Sequence, residues 1–202
     1  MRTVNIENRK ARQIEIMEKT FDCYAEKGLN SVGIKTIADY IGLNVASIYQ
    51  YFDNLDDLII RSCEYCMTKV EDDFMAKAPD NVEDLFSFIE EIPYWTKKQH
   101  GKKYRLMYQI YSHPKYHEYG RNFFKGVDER YSRYAESLEE KLHIPSEILT
   151  GLIFILIRAC VHYALFEDEF YLKAQTDVLK ETLELFILKY NPEALQKEEL
   201  KK

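Results

Sequence analysis

Apolar side chains recur at three- and four-residue steps through every long stretch between the few helix breakers of this chain. With 7 Gly and 5 Pro in 202 residues, it lacks the material for the many tight turns of an all-β fold. The period is that of helices with one buried face, so the predicted class is all-α. Ile14, Met17, Phe21 and Tyr24 share a face, predicting a helix over about 8–27 with Gly28 as a left-handed C-terminal cap. Short helices follow at 34–41 and 45–51, broken by Gly42-Leu43-Asn44, with Asn44 suited to cap the second.

A longer helix is predicted from Asn54 to about residue 76, with Asp56 and Asp57 in its first turn, where acids suit the helix dipole. Pro79-Asp80 closes it. Further helices are predicted at 81–98 (kinked at Pro93), 101–112, 116–142, 146–169 and 174–190, and a charged tail follows Asn191-Pro192. About nine helices result, in a helix-turn-helix domain over 1–54 and a helical bundle over 55–202.

The net charge of −6 argues against a coat of positive charge for indiscriminate nucleic-acid binding. The charge is uneven, however: residues 1–12 carry Arg2, Arg9, Lys10 and Arg12 against the single acid Glu7. Any DNA contact is therefore local and geometric. The first 20 residues are charged and amphipathic, unlike a signal peptide. The longest apolar run, 148–166, is interrupted by Arg158 and His162 and reads as a buried helix. Four cysteines without a disulfide-like framework fit a cytoplasmic protein with reduced thiols.

A DNA-reading helix-turn-helix needs a short helix, a sharp glycine turn and a second helix braced in the major groove. The stretch IKTIADYIGLNVASIYQYF meets that demand: Ile37, Ala38, Ile41, Leu43 and Ile48 supply the small core, and Gly42 permits the turn. From Gly28 to Leu58 the segment resembles, without a gap, the N-terminal domain of the TetR family of bacterial transcription regulators. Gly28, Ile34, Ile37-Ala38, Gly42, Ile48-Tyr49, Tyr51-Phe52 and Leu58 carry the resemblance.

The resemblance implies a motif over 33–52, with 45–51 as the reading helix. Asn44, Val45, Ala46, Ser47 and Gln50 would face the groove. Tyr49 and Tyr51 would place hydroxyls near phosphates, as would Lys35 or Thr36 from the preceding helix. The chemistry agrees, since Gln can bond adenine bidentately while Ala and Val can pack on thymine methyls. Phe52 reads as core. Three positions depart from the family pattern: Leu55 and Val45 stand where cations are common, and Gly33 where a hydroxyl residue is usual. Each lost cation removes roughly one unit of salt-dependent phosphate neutralisation, which shifts weight to Arg9, Lys10 and Arg12.

In the bundle, Gly151–Phe166 is apolar nearly all round, more than one core face can use. The family pairs its last two long helices with those of a second subunit, implying a homodimer whose two-fold axis matches a palindromic operator. Aromatics crowd the middle of the chain, either as ordinary core or as the lining of a small-molecule pocket. The resemblance implies such a pocket, drawing on Trp95, Met107, Tyr108, Tyr111, Phe124, Tyr131 and Phe154, for an apolar or aromatic effector. Arg158 and His162 lie one turn apart on the most apolar helix, so a buried Arg158 requires a carboxylate or a ligand anion.

Cys63 and Cys66 stand three residues apart, two ligands short of a zinc site; they read as buried small side chains, with thiol redox sensing as the alternative. No metal and no cofactor are expected. No phosphate-cradling glycine loop, HExxH or nucleophile elbow marks an enzyme. The sequence thus points to a ligand-responsive regulator, a repressor released from operator DNA by a small molecule. The alternative is a DNA-binding protein whose bundle recruits a protein partner.

Overall fold

The computed structural model describes residues 2–193, and side chains from residue 6 onward. The charged tail expected after Pro192 lies, from residue 194, outside the described residues, as does the side chain of Arg2. Among the described residues there are eight α-helices and no strand: α1 Arg2–Lys27, α2 Ile34–Ile41, α3 Val45–Ile48, α4 Leu55–Lys77, α5 Leu85–Tyr111, α6 His117–Leu142, α7 Ser146–Phe166 and α8 Glu169–Tyr190. A 3-10 turn, Leu29–Ser31, lies between α1 and α2.

One helix fewer forms than expected, because 81–98 and 101–112 are a single helix. Neither Pro93 nor Gly101 ends α5. A glycine inside a helix costs about 1 kcal/mol relative to alanine. At Gly101 a Cβ would stand 3.5 Å from the Ala164 carbonyl oxygen of α7, an ordinary contact, so the packing there does not require glycine. Two other boundaries also move. Glu167 takes a left-handed conformation (φ 56°) that stops α7. Asp168 then caps α8, its Oδ1 accepting from the Tyr171 N–H at 2.9 Å, so α8 begins at Glu169 and not near 174.

The chain divides into two compact units interleaved in sequence: Met1–Asp72 with Lys102–Phe123, and Asp73–Gly101 with Phe124–Lys202. Helices α4, α5 and α6 therefore contribute residues to both.

In the first unit α1 packs on α2 and on the 3-10 turn, and α2 packs on α3. Phe21, Ile16, Ile37, Ile48, Phe52 and Leu58 are fully buried there. Such side chains contribute roughly 1.5–3 kcal/mol each on burial, enough to hold very short helices in place. Gly28 has φ 86° and ψ 146°, so the chain leaves α1 in an extended, positive-φ conformation and not the left-handed helical cap expected. Later in the same unit, Gly120 packs so closely on α5 that a Cβ would stand 2.8 Å from the Tyr111 Cβ. Gly120→Ala should destabilise by about 1–3 kcal/mol through overpacking. Urea denaturation checks this, and an unchanged midpoint would mean the two helices can separate freely.

In the second unit α7 packs along α8, with Ala159, Tyr163 and Leu172 clustered between them. Glu169 accepts hydrogen bonds from the Tyr94 and Tyr163 hydroxyls at 3.0 and 2.6 Å, and Lys97 pairs with Glu167 at 2.6 Å. These contacts tie α5 to the α7–α8 turn. Helix α7 is long and apolar enough to cross a membrane by length and composition alone. Leu149, Leu156, Ala159, Cys160, Val161, Tyr163 and Ala164 are nevertheless buried within the protein, as a bundle helix requires.

Candidate nucleic-acid interface and bundle cavity

The helix-turn-helix is built from backbone hydrogen bonds that its residue types allow. Gly42 adopts the left-handed conformation (φ 78°, ψ 35°). Its N–H and that of Leu43 both reach the Ala38 carbonyl at 2.9 Å, so the chain reverses immediately after α2. Asn44 caps α3, its Oδ1 accepting from the Ser47 N–H at 2.8 Å. That oxygen is thereby committed to the cap. Regular helix ends at Ile48, three residues earlier than expected, and Tyr49–Tyr51 continue as a turn closed by a Tyr51 N–H to Ile48 carbonyl bond of 3.0 Å.

On this frame Lys35, Asn44, Ala46, Tyr49 and Gln50 are exposed, while Thr36, Val45, Ser47 and Tyr51 are half-buried. Phe52 is buried, as its role in the core demands. The nine residues assigned to DNA thus lie on or beside one short surface of the first unit, at α2, α3 and the turn after it.

Helix α1 adds two residues, of which sequence reasoning missed Gln13 and gave Arg9 a different role. The Arg9 guanidinium donates to the Gln50 carbonyl at 2.9 Å and stands 5.4 Å from the Tyr51 ring centroid. The Gln13 amide donates to the Tyr51 carbonyl at 3.1 Å. Their partners lie about forty residues away in sequence, beyond the reach of any local pattern. Arg9 was expected among phosphate-contacting cations; its guanidinium instead engages main chain.

The entry to α4 is capped twice over. Asn54 Oδ1 accepts from the Asp57 N–H at 2.9 Å, and Asp57 Oδ2 accepts from the Asp53 N–H at 3.1 Å. Leu55 opens the helix half-buried. Next to it, Asp56 accepts from the Lys115 ammonium at 2.7 Å and the Tyr116 hydroxyl at 2.6 Å. Those bonds hold its carboxyl below the ordinary carboxylate range, and burial with Asp56 nearby pushes the Tyr116 phenol up. A carboxylate depressed by folding stabilises above its unfolded pKa, near 4, and loses that contribution as pH falls through the folded value. Wild-type melting temperature should therefore fall more steeply below about pH 4 than that of Asp56→Asn. Parallel acid limbs would show that the pair of bonds carries no stability.

The second unit holds a partly open apolar cavity of about 60 Å³. Its walls are Phe74, Ala78, Pro79, Leu85, Phe88, Ile89, Tyr134, Leu138, Leu142, Leu149, Leu152, Ile153, Leu156, Leu179 and Leu183. An engineered apolar cavity of roughly 150 Å³ takes up benzene, so this one admits a short hydrocarbon segment unless its walls move. A separate polar recess of about 280 Å³ is lined by Asp80, Asn81, Val82, Glu83, Lys141, His143, Asn191 and Glu193.

None of the eight residues assigned to a ligand lines the apolar cavity. Met107, Tyr108 and Tyr111 belong to the first unit, and Trp95, Phe124, Tyr131, Phe154 and Arg158 to the second. Tyr131 comes nearest, buried and edge-on to the cavity residue Phe74 at 6.3 Å and to Phe154 at 6.1 Å. Trp95 meets the His100 ring at 5.1 Å, and Phe124 is exposed. The expectation of a buried Arg158 is corrected: it is exposed, on the stripe of α7 that also shows Gly151 and Ile155. The lining is chiefly leucine from α6, α7 and α8, which in a sequence is indistinguishable from plain core.

All four cysteines are free and buried. Burial pushes the thiols of Cys63, Cys66 and Cys160 up to about 12 and raises Cys23 as well. Thiols so protonated are poor nucleophiles, which supports the packing account over redox sensing. Among the described residues no group of three or more His, Cys, Asp or Glu side chains is placed to hold a metal ion.

Residues 16–61 match the family described as bacterial regulatory proteins, tetR family. Over that span the chain is similar to the TetR family. The matched span contains all of α2 and α3 and the capped start of α4. No curated protein matches the chain at a significant level. Among solved structures, a TetR transcription regulator from Haloarcula marismortui superposes with a TM-score of 0.68 at 19% identity, covering 87% of this chain and 98% of that one. The multidrug binding protein EbrR complexed with malachite green gives 0.59 at 16% identity, over 84% and 96% of the two chains. The transcriptional regulator FadR from Bacillus subtilis in complex with stearoyl-CoA gives 0.51 at 18% identity, over 84% and 96%. At these identities the likeness is one of fold, and it extends over most of the chain.

Proposed function

We propose that the chain is a ligand-responsive transcription regulator of the repressor type, which binds a palindromic operator as a homodimer and leaves it when a small molecule enters the bundle. The observation that carries the DNA half is the exposed surface of Ala46, Tyr49 and Gln50 at the end of a fully braced helix-turn-helix. Gln50 and Ala46 would read base edges, helped by Val45 and Ser47. Lys35, Thr36, Tyr49 and Tyr51 would meet phosphates. Asn44 would act through the cap that fixes α3.

The homodimer is supported by apolar side chains that the single chain leaves in water. Ile155 and Phe166 on α7, and Phe170, Val178, Leu185 and Leu188 on α8, are 44–87% exposed. A second copy would cover them in an isologous four-helix seam. Such a protein works where its DNA is, in the cytoplasm, by binding and not by catalysis.

The effector reading rests on the carbon-lined cavity, which favours an apolar ligand that enlarges it on entry. It is supported by proteins of the same fold that are complexed with malachite green and with stearoyl-CoA. A ligand that binds only the expanded bundle shifts the population toward that form and away from the DNA-competent one. The small volume also favours a second reading, in which the bundle recruits a protein partner through an exposed face.

Selection from random duplexes tests the DNA half. The expected product is an inverted repeat with half-sites about 34–36 Å apart, or a multiple of that distance. Gln50→Ala should then cost about 1–3 kcal/mol and relax preference at one position per half-site. Recovery of no repeat would refute the reading. Leu55→Lys restores a cation at the start of α4 and should steepen the salt dependence by about one unit per subunit. An unchanged slope would place Leu55 off the phosphate track.

A further inference from the structure

Helix α3 is a single turn, and a helix end leaves carbonyl groups without intrahelical partners. The Val45 and Ile48 carbonyls are taken by the Tyr49 and Tyr51 N–H groups at 3.2 and 3.0 Å. Two residues on, the Gln50 and Tyr51 carbonyls accept instead from Arg9 and Gln13 of α1, at 2.9 and 3.1 Å. Arg9 and Gln13 are four residues apart, hence stacked on one face of α1. The arginine also suits the site, because a cation is favoured where helix carbonyls end and its plane can lie against the Tyr51 ring.

We propose that Arg9 and Gln13 are positioning residues for DNA reading: together they cap the end of the reading segment from outside and fix where Tyr49 and Gln50 project. This rests on the DNA-binding function proposed above. It assigns Arg9 a role different from phosphate neutralisation, and it gives a role to Gln13, which carries no charge. The two accounts separate cleanly. A phosphate contact raises affinity for every duplex and adds about one unit to the salt slope, whereas a positioning contact raises discrimination and leaves the slope nearly alone.

Two measurements on the full chain test the proposal. The first is amide hydrogen exchange in the free protein. Arg9→Ala and Gln13→Ala should each speed exchange at Tyr49 and Tyr51 by about three- to tenfold, the worth of one hydrogen bond, while α7 stays unchanged. Unchanged exchange at Tyr49 and Tyr51 overturns the proposal, whether or not any operator is found.

The second measurement compares binding to the duplex selected by the wild-type protein and to a scrambled duplex of equal length, across a salt series. Gln13→Ala should weaken only the selected duplex, by about three- to tenfold, with no change in salt slope. Arg9→Ala should do the same, with a slope change well under one unit. Equal losses on both duplexes with a full unit of slope from Arg9→Ala, or faster exchange with no loss of discrimination, would overturn the positioning role. Failure of the wild-type protein to select any duplex would instead strike the proposed function, and exchange alone would then decide the capping claim.

Discussion

Ile155→Asp and Leu185→Asp are each expected to give a folded monomer whose affinity for the selected operator is lower by about 100-fold or more, since a lone subunit holds a single half-site. Ile155 is 44% exposed and Leu185 is 66% exposed in the single chain. A carboxylate at either position therefore stays in water in the monomer, and melting of the subunit should barely change. In a two-fold seam the same carboxylate is taken out of water, with an effective penalty of several kcal/mol per ion. Each substitution is also doubled by symmetry. Sedimentation at micromolar concentration checks both halves of the expectation: wild type as dimer, variants as monomer. A monomeric wild type, or variants that remain dimeric, would remove the seam from this face.

The second large effect belongs to Phe52. Its ring is 2% exposed in the helix-turn-helix core and carries the Arg61 guanidinium 5.1 Å from its centroid. It follows directly on the turn whose carbonyls Arg9 and Gln13 hold. Phe52→Ala removes a buried ring from a closely packed core and should cost about 3–5 kcal/mol, lost transfer energy plus the cavity left behind. Operator binding should fail with it. Tyr49, three residues earlier, is the informative contrast, because it is 43% exposed. Tyr49→Ala should leave stability within about 0.5 kcal/mol and weaken DNA binding alone. Denaturant midpoints for the two variants, read beside their operator affinities, check the pair. Equal stability losses would mean that Tyr49 is core and not part of the reading surface.

The helix-turn-helix was legible because its signals are local. Gly42 at a left-handed turn, Asn44 as cap and the apolar set Ile37, Ala38, Ile41 and Ile48 each act within a few residues, and each is found where the pattern puts it. The brace from α1 was not legible, since nothing at Arg9 or Gln13 announces a main-chain partner on the far side of the domain. The single helix α5 was hidden by Pro93 and Gly101, two residues that usually end helices. The α7–α8 turn was hidden by the opposite effect. Glu167-Asp168-Glu169 carries no glycine or proline, yet Glu167 accepts a positive φ and Asp168 supplies the cap.

The lining of the bundle cavity was not legible, for a chemical reason. Aromatics with polar tips suggest a lining, but in this bundle Tyr111 packs on Phe123 in the first unit, and the cavity walls in the second are mostly leucine. Arg158 was misread because a helix that is apolar all round need not be buried all round. In the proposed dimer, the outward stripe of α7 is the part that meets the partner subunit.

Coupling between ligand and DNA is the central claim, and one titration tests it most directly. The wild-type protein is screened with apolar and aromatic compounds for a rise in melting temperature, and each stabilising compound is then titrated into the protein–operator complex. A compound that raises the melting temperature should also weaken operator binding, and reversing a 99:1 equilibrium requires about 10⁴-fold preference for the DNA-free form. A compound that stabilises the protein and leaves operator affinity unchanged would contradict the coupling.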